Sequence, residues 1–126
     1  EGILKQVQDQ QYNYYYAHKD SSTFEDLARI YWKNKLEKSG LIKFLEEEFL
    51  NPIIILFGSL AKAETKRDSD IDIAIFSPTY RELVITKYEE ILKRKIQLFI
   101  FKKKEDVKNK LLFNNLLNGY KLRGTW

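Results

Sequence analysis

Two short polar motifs of this chain could do chemistry together. Gly58-Ser59 follows the apolar run of residues 52–57, and Asp70 and Asp72 follow after ten intervening residues, 60–69. Glycine lets the backbone turn sharply toward a ligand, and the free N–H groups of a helix that begins there suit phosphate oxygens. Residues two apart on a strand share a face, so two carboxylates would meet and need a cation. The spacing predicts a site for a nucleoside triphosphate and Mg²⁺, which proteins bind through one or two carboxylates plus substrate phosphates.

Three apolar segments must form the strands that position these motifs. Residues 52–57, the segment around Asp70 to Ala74 and residues 95–101 have the β-branched or alternating character of buried strands. A short helix is expected to start at Ser59. Lys62 on that helix would neutralise phosphate charge, although an exposed helix lysine is an equal alternative. Ser69 is expected to order the loop before the carboxylates.

The remaining segments predict four helices and an edge strand. Residues 22–25 match a capping box, which predicts a helix that ends near Gly40; a second short helix should run from Leu41 to residues 51–52. A third helix is predicted from about Tyr80 to Arg94, and a final one ends at Gly119. Residues 120–122 would add an edge strand. The predicted inward faces are Phe24, Leu27, Ala28, Tyr31 and Leu36; Tyr80, Leu83, Val84, Tyr88 and Ile91; and Val107, Leu111, Leu112 and Leu116.

The predicted fold class is therefore α+β, with α/β-like order: a small mixed sheet covered by helices. With 126 residues, 44% of them hydrophobic, the chain can bury one core. We divide it into an N-terminal hairpin (1–18), a helical lead-in (19–51) and a core domain (52–126). No methionine occurs, even at position 1, so we expect Glu1 to lie inside a longer protein.

The composition excludes several classes of site. The chain has no cysteine and a single histidine, His18, which argues against disulfides, thiolate metal sites and histidine-based triads. No apolar run is long enough to cross a bilayer, and no signal pattern opens the chain, so a cytoplasmic location without membrane contact is expected. A net charge of +4 is compatible with phosphate-bearing ligands.

Residues 1–18 have the pattern of a β-hairpin with two alternative interpretations. The segment from Gly2 to Val7 and the tyrosine-rich segment from Tyr12 to Ala17 flank a polar turn. The hairpin resembles the wing of a winged-helix domain, whose DNA-binding helices would lie upstream of Glu1. Alternatively, it caps the core domain or pairs with a second copy of the chain.

Gly58-Ser59 and the segment from Ser69 to Ile73 together resemble the DNA polymerase β-like nucleotidyltransferase superfamily, most closely its minimal nucleotidyltransferase branch of small prokaryotic proteins. The resemblance implies that Asp70 and Asp72 are catalytic ligands of Mg²⁺. It also implies that Gly58 and Ser59 hold the phosphates of an NTP, with ATP the expected substrate, and that Lys62 and Ser69 complete the nucleotide site.

The chain departs from this family pattern at two positions. Ala63 stands where a second glycine is common, a change that the helix preference of alanine can absorb. Gln97 stands where a third carboxylate normally completes the metal site, and an amide neither neutralises a cation nor acts as a general base. Glu89, Glu90 and Asp106 are the acids that could replace that carboxylate.

Three functions follow as hypotheses. The first is Mg²⁺-dependent transfer of a nucleoside monophosphate to a hydroxyl, with the acceptor on a partner protein such as the HEPN-type toxin that minimal nucleotidyltransferases accompany as antitoxins. The second is a catalytically weakened nucleotide-binding regulator or antitoxin attached to a DNA-binding winged helix. The third, adenylylation of a small molecule, would need a second substrate domain.

Overall fold

The computed structural model describes residues 22–58 and 70–126, and the side chains of residues 26–58 and 70–126. The hairpin predicted for residues 1–18 and the helix predicted to start at Ser59 lie outside the described residues. The elements in chain order are α1 (Ser22–Ser39), α2 (Leu41–Glu48), β1 (Ile53–Phe57), β2 (Ile71–Phe76), α3 (Thr86–Leu92), β3 (Ile96–Phe101), a 3₁₀ turn (Lys104–Asp106), α4 (Lys110–Leu117) and β4 (Tyr120–Arg123).

The four strands form one mixed sheet in the order β3-β2-β1-β4. Strand β1 is antiparallel to both β2 and β4, whereas β3 runs parallel to β2. The end of β1 therefore lies beside the starts of β2, β3 and β4. This arrangement, with helices packed on the sheet, confirms the predicted α+β class. Within the described part of the chain, no helix is both long and apolar enough to span a membrane.

One face of the sheet, called here the helix-covered face, is closed by α1, α2 and α3. Its strand residues alternate with those of the opposite face, as expected for period-two geometry. Helix residues Trp32, Leu36, Leu41, Leu45 and Leu92 pack against this layer in a single cluster. The helical lead-in therefore belongs to the same hydrophobic core as the sheet. The buried strand residues of this face are Ile54, Leu56, Ile71, Ile73, Ile75, Ile96 and Leu122.

The opposite face, called here the site face, is more aromatic and is partly covered by α4. Leu116 and Val107 are buried there against β1 and β2. Ring pairs line it at centroid distances of 5.3 Å for Phe57–Phe99 and 5.4 Å for Phe76–Phe101. Strand alternation places Asp72 and Gln97 on this same face, because each lies two residues before a residue of that face, Ala74 and Phe99 respectively.

The first helix agrees with its predicted bounds and differs in its buried face. It ends at Ser39, and Gly40 follows with a φ of +88°. Ala28 and Leu36 are buried as predicted, but Leu27 is 36% exposed, and Trp32 is buried in its place. Trp32 lies one residue after Tyr31 of the predicted apolar face. Its indole ring packs beneath the guanidinium of Arg94.

The third helix is shorter than predicted, and three of its predicted inward residues are wrong. It starts at Thr86 instead of Tyr80, and Tyr80, Val84 and Ile91 are all at least half exposed. The reason is the packing of Leu83 and Ile85, which both contact the core. Two residues spaced by two cannot share one face of a helix, so the segment before Thr86 packs without helical structure.

The last helix also corrects the sequence prediction. Asn109 caps it by accepting a hydrogen bond from the Leu112 backbone N–H at 3.0 Å. Val107 therefore precedes the helix, and its side chain is buried although it lies just after the 3₁₀ turn. Leu111 is 71% exposed, because it lies about 100° around the helix from Leu112, which together with Leu116 faces the sheet. The edge strand predicted after Gly119 is confirmed as β4.

Candidate active site

The backbone at Gly58 lies directly against the side chain of Asp72. Strand β1 ends at Phe57, which pairs with Asp72 across the antiparallel ladder. Gly58 then turns with a φ of +75°, a conformation that costs a residue with a Cβ atom. A Cβ at this position would collide with the Asp72 carboxylate, whose Cγ would lie only 3.3 Å away. The turn therefore both redirects the chain and forms one wall around this carboxylate.

The two acids of the motif, called here the carboxylate pair, lie at the start of β2. Asp70 directly precedes the strand and Asp72 is its second residue; both side chains are half-buried. The pKa of Asp72 is raised above its ordinary value, first by burial and then by the negative charge of Asp70. A raised pKa means that the second charge is unfavourable in this environment. The pair would be relieved by a bound cation.

Gln97 lies beside the carboxylate pair, at the position that the family resemblance implies for a third carboxylate. Gln97 is paired with Asp72 in the parallel ladder between β2 and β3. Its amide Nε2 donates a hydrogen bond to Oδ2 of Asp70 at 3.1 Å. The hypothesised position of a missing third carboxylate is thus occupied by a hydrogen-bond donor that contacts one of the two acids.

The acids considered as replacements for the third carboxylate are placed elsewhere. Glu89 accepts a hydrogen bond from the backbone N–H of Ile96 at 2.9 Å, which fixes the start of β3. Glu90 lies on α3, which packs on the helix-covered face. Asp106 follows the far end of β3. The structure therefore brings no substitute acid beside the carboxylate pair among the described residues.

Asp70 and Asp72 fit one Mg²⁺ ion that phosphate oxygens also coordinate. They do not fit a site in which protein side chains alone surround the metal. In residues 22–58 and 70–126, no group of three or more acidic or histidine side chains is arranged to hold a metal ion. Mg²⁺ is commonly bound by one or two carboxylates together with substrate oxygens and water. Asp70 and Asp72 would hold the ion, and the Gly58 backbone lies against the carboxylate of Asp72.

The predicted nucleotide-binding residues Ser59, Lys62 and Ser69 lie outside the described residues, so their roles stay predictions. One contributor to this end of the sheet was missed. Gly119, interpreted only as a helix stop, packs so tightly on β1 that a Cβ would lie 3.1 Å from Cβ of Phe57 and 2.9 Å from the backbone oxygen of Leu56. Only the pairing of β4 with β1 explains this requirement, and a sequence pattern does not state it.

The mixed sheet, with paired carboxylates beside a glycine turn, has the architecture of a nucleotidyltransferase domain. The family model described as polymerase beta, nucleotidyltransferase matches residues 39–121, well over half of the chain. The matched range contains Gly58, the carboxylate pair and Gln97. The chain therefore belongs to the polymerase beta nucleotidyltransferase family. Comparisons with curated proteins and with solved structures gave no significant match.

Proposed function

We propose that this protein is a Mg²⁺-dependent nucleotidyltransferase that moves a nucleoside monophosphate from an NTP to a hydroxyl group. The observation that carries the proposal is the half-buried carboxylate pair, with Asp72 packed against the Gly58 turn at the end of β1. Membership of the family supports the reaction class. The raised pKa of Asp72 supports a site that is electrostatically incomplete without a cation.

In this reaction the acceptor oxygen forms a bond to the α-phosphorus, the bond between the α-phosphorus and its bridging oxygen breaks, and pyrophosphate leaves. The bound Mg²⁺ would supply charge neutralisation and alignment of the triphosphate. Asp70 and Asp72 position that ion, and the Gly58 turn admits the ligand close to the backbone. The acceptor proton passes to solvent in this proposal, because the amide of Gln97 cannot accept it and the described residues place no third acid beside the pair.

The finer assignments extend this proposal. ATP is the proposed nucleotide and a hydroxyl on a partner protein the proposed acceptor, with a HEPN-type toxin as the first partner to test. These assignments rest on the resemblance to minimal nucleotidyltransferases.

Transfer of label from each α-³²P-labelled NTP, with Mg²⁺ and the protein encoded beside this one, tests the proposal. We expect label on the partner, and a loss of roughly a hundredfold or more for Asp70→Asn and Asp72→Asn, the size typical of removing a group that positions transition-state charge. Asp106→Asn, which removes an exposed carboxylate far from the pair, is the matched control and should keep full activity. Transfer that survives Asp72→Asn would refute the proposal.

The presence of Gln97 at the position of the family's third carboxylate favours one alternative function, a module that binds nucleotide with little turnover. The absence of a general base at this position would slow transfer, while the carboxylate pair could still hold a metal-bound nucleotide. Calorimetry with NTP and Mg²⁺ distinguishes the two functions. Binding without turnover in the natural sequence, with turnover gained in Gln97→Asp, would favour the binding module.

A further inference from the structure

The hydrogen bond between Gln97 and Asp70 fixes which end of the amide faces the acid. An ionised carboxylate only accepts hydrogen bonds, so the amide must present its N–H₂ group to Asp70 and direct its carbonyl oxygen elsewhere. The observed contact, from Nε2 of Gln97 to Oδ2 of Asp70 at 3.1 Å, has this arrangement. One of the two oxygens of Asp70 is therefore engaged by the protein itself.

The charge at this end of the sheet is also lower than three carboxylates would give. Gln97 is paired with Asp72 in the ladder and hydrogen-bonded to Asp70, so its side chain lies beside both acids. A glutamate at position 97 would add a third negative charge beside them. Two divalent cations a few ångströms apart repel strongly, and such sites depend on shared anionic ligands to hold them together. The described residues supply only two such ligands.

We propose that Gln97 is a positioning residue that limits the carboxylate pair to a single divalent ion. It does so by keeping Oδ2 of Asp70 in a hydrogen bond and by offering no charge for a second ion. The ion that binds is the one that enters with the nucleotide, held by Asp72 and by the remaining oxygen of Asp70. This inference rests on the proposed function, because it describes the metal content of that same site.

Counting bound Mn²⁺ tests the inference without relying on activity. The protein is saturated with Mn²⁺ and with the α,β-methylene analogues of ATP, CTP, GTP and UTP, one at a time, and the bound ions and nucleotide are measured by equilibrium dialysis and electron paramagnetic resonance. We expect one Mn²⁺ per bound nucleotide for the natural sequence and two for Gln97→Glu. Gln97→Leu, which frees Oδ2 of Asp70 without adding charge, should bind more than one Mn²⁺ but fewer than the two expected for Gln97→Glu.

A second readout separates metal control from a purely structural contribution of Gln97. In the absence of metal, Gln97→Glu should melt at a lower temperature than the natural protein, because three carboxylates then repel one another. Mn²⁺ with nucleotide should raise its melting temperature more than that of the natural protein. A side chain that merely tied β3 to β2 would change both melting temperatures alike and leave the ion count at one.

The outcomes are distinct. Two ions on the natural protein, or one ion on both Gln97→Glu and Gln97→Asp, would overturn the inference while leaving the proposed function intact. No nucleotide-dependent ion on the natural protein, with Asp72→Asn giving the same background, would remove the proposed function and the inference together.

Discussion

The two faces of strand β2 show how a single segment serves both stability and the candidate site. Ile71, Ile73 and Ile75 point into the helix-covered face and have no exposed surface. Asp72, between the first two, lies on the site face and stays half-buried. Because alternation assigns neighbouring residues to opposite faces, the isoleucines fix the strand while the carboxylate lies on the site face. The position of Asp72 is thus set by buried residues of the helix-covered face.

The faces also differ in what covers them. Three helices close the first face, whereas the site face has α4, a short turn and aromatic rings, including Trp126 at 4.9 Å from the ring centroid of Phe76. At the end of the sheet Asp72 stays half-buried and Gln97 exposed, and burial raises the pKa of Asp72. The site face is therefore less completely covered than the helix-covered face, and its polar side chains stay accessible at one end of the sheet.

The largest expected effect comes from breaking the helix-covered face. Ile73→Ala should lower the free energy of unfolding by about 2–5 kcal/mol, because it opens a cavity where no side-chain surface is exposed. Urea denaturation followed by circular dichroism measures this loss. Leu111→Ala on α4, where the side chain is 71% exposed, is the control and should change stability by no more than about 0.5 kcal/mol. Similar losses in both variants would contradict the assignment of the two environments.

The next effect tests the contact between the Gly58 turn and the site face. Gly58→Ala should lose about 1–3 kcal/mol and reduce nucleotide binding, because it combines a positive φ with a collision with the Asp72 carboxylate. Gly40→Ala is a matched control. Gly40 also has a positive φ, but a Cβ there would meet only Cε1 of Tyr88 at an ordinary 3.7 Å.

Gly40→Ala should therefore lose stability alone, by roughly 1 kcal/mol. Thermal melting and calorimetric titration with an NTP and Mg²⁺ compare the two variants. Equal effects on nucleotide binding would show that the contact between Gly58 and Asp72 has no part in the site.

The central strands and the glycine turn were predictable because their physical signals are local. Apolar alternation places Asp72 and Gln97 on one face once the strands are recognised, and the pairing of Phe57 with Asp72 brings the turn beside them. The prediction depended on β1 and β2 being neighbours, which the family resemblance supplied.

The prediction was wrong where tertiary packing decides which side chains are buried. Tyr80 and Val84 fitted a helical stripe with Leu83, yet they are exposed, and Ile85 packs on the core beside Leu83; helical periodicity does not distinguish these two solutions. The hydrogen bond from Gln97 to Asp70 was also beyond the sequence, since it requires both the register of β3 and the direction of an amide side chain. The roles of Ser59 and Lys62 stay predictions.

The smallest expected effect, that of Asp72→Asn, tests the electrostatic difference between the two faces. Because the pKa of Asp72 is raised in the folded protein, the folded state holds the proton more tightly than the unfolded state, and stability falls as the pH rises through that pKa. Asp72→Asn removes the unfavourable charge, so without metal it should raise the melting temperature at pH 7–8 by about 2–4 °C. The gain should shrink as the pH falls and vanish below about 3.8, the ordinary value for the carboxyl.

Asp106→Asn, at an exposed position, controls for removing a carboxylate as such and should change the melting temperature less. Addition of Mg²⁺ and an NTP should then reverse the order, because the bound ion stabilises the natural protein and has lost a ligand in Asp72→Asn. A metal-free Asp72→Asn variant that melts at or below the natural protein at pH 8 would mean that neighbouring groups already neutralise this acid. The site face would then have no electrostatic reason to bind a cation.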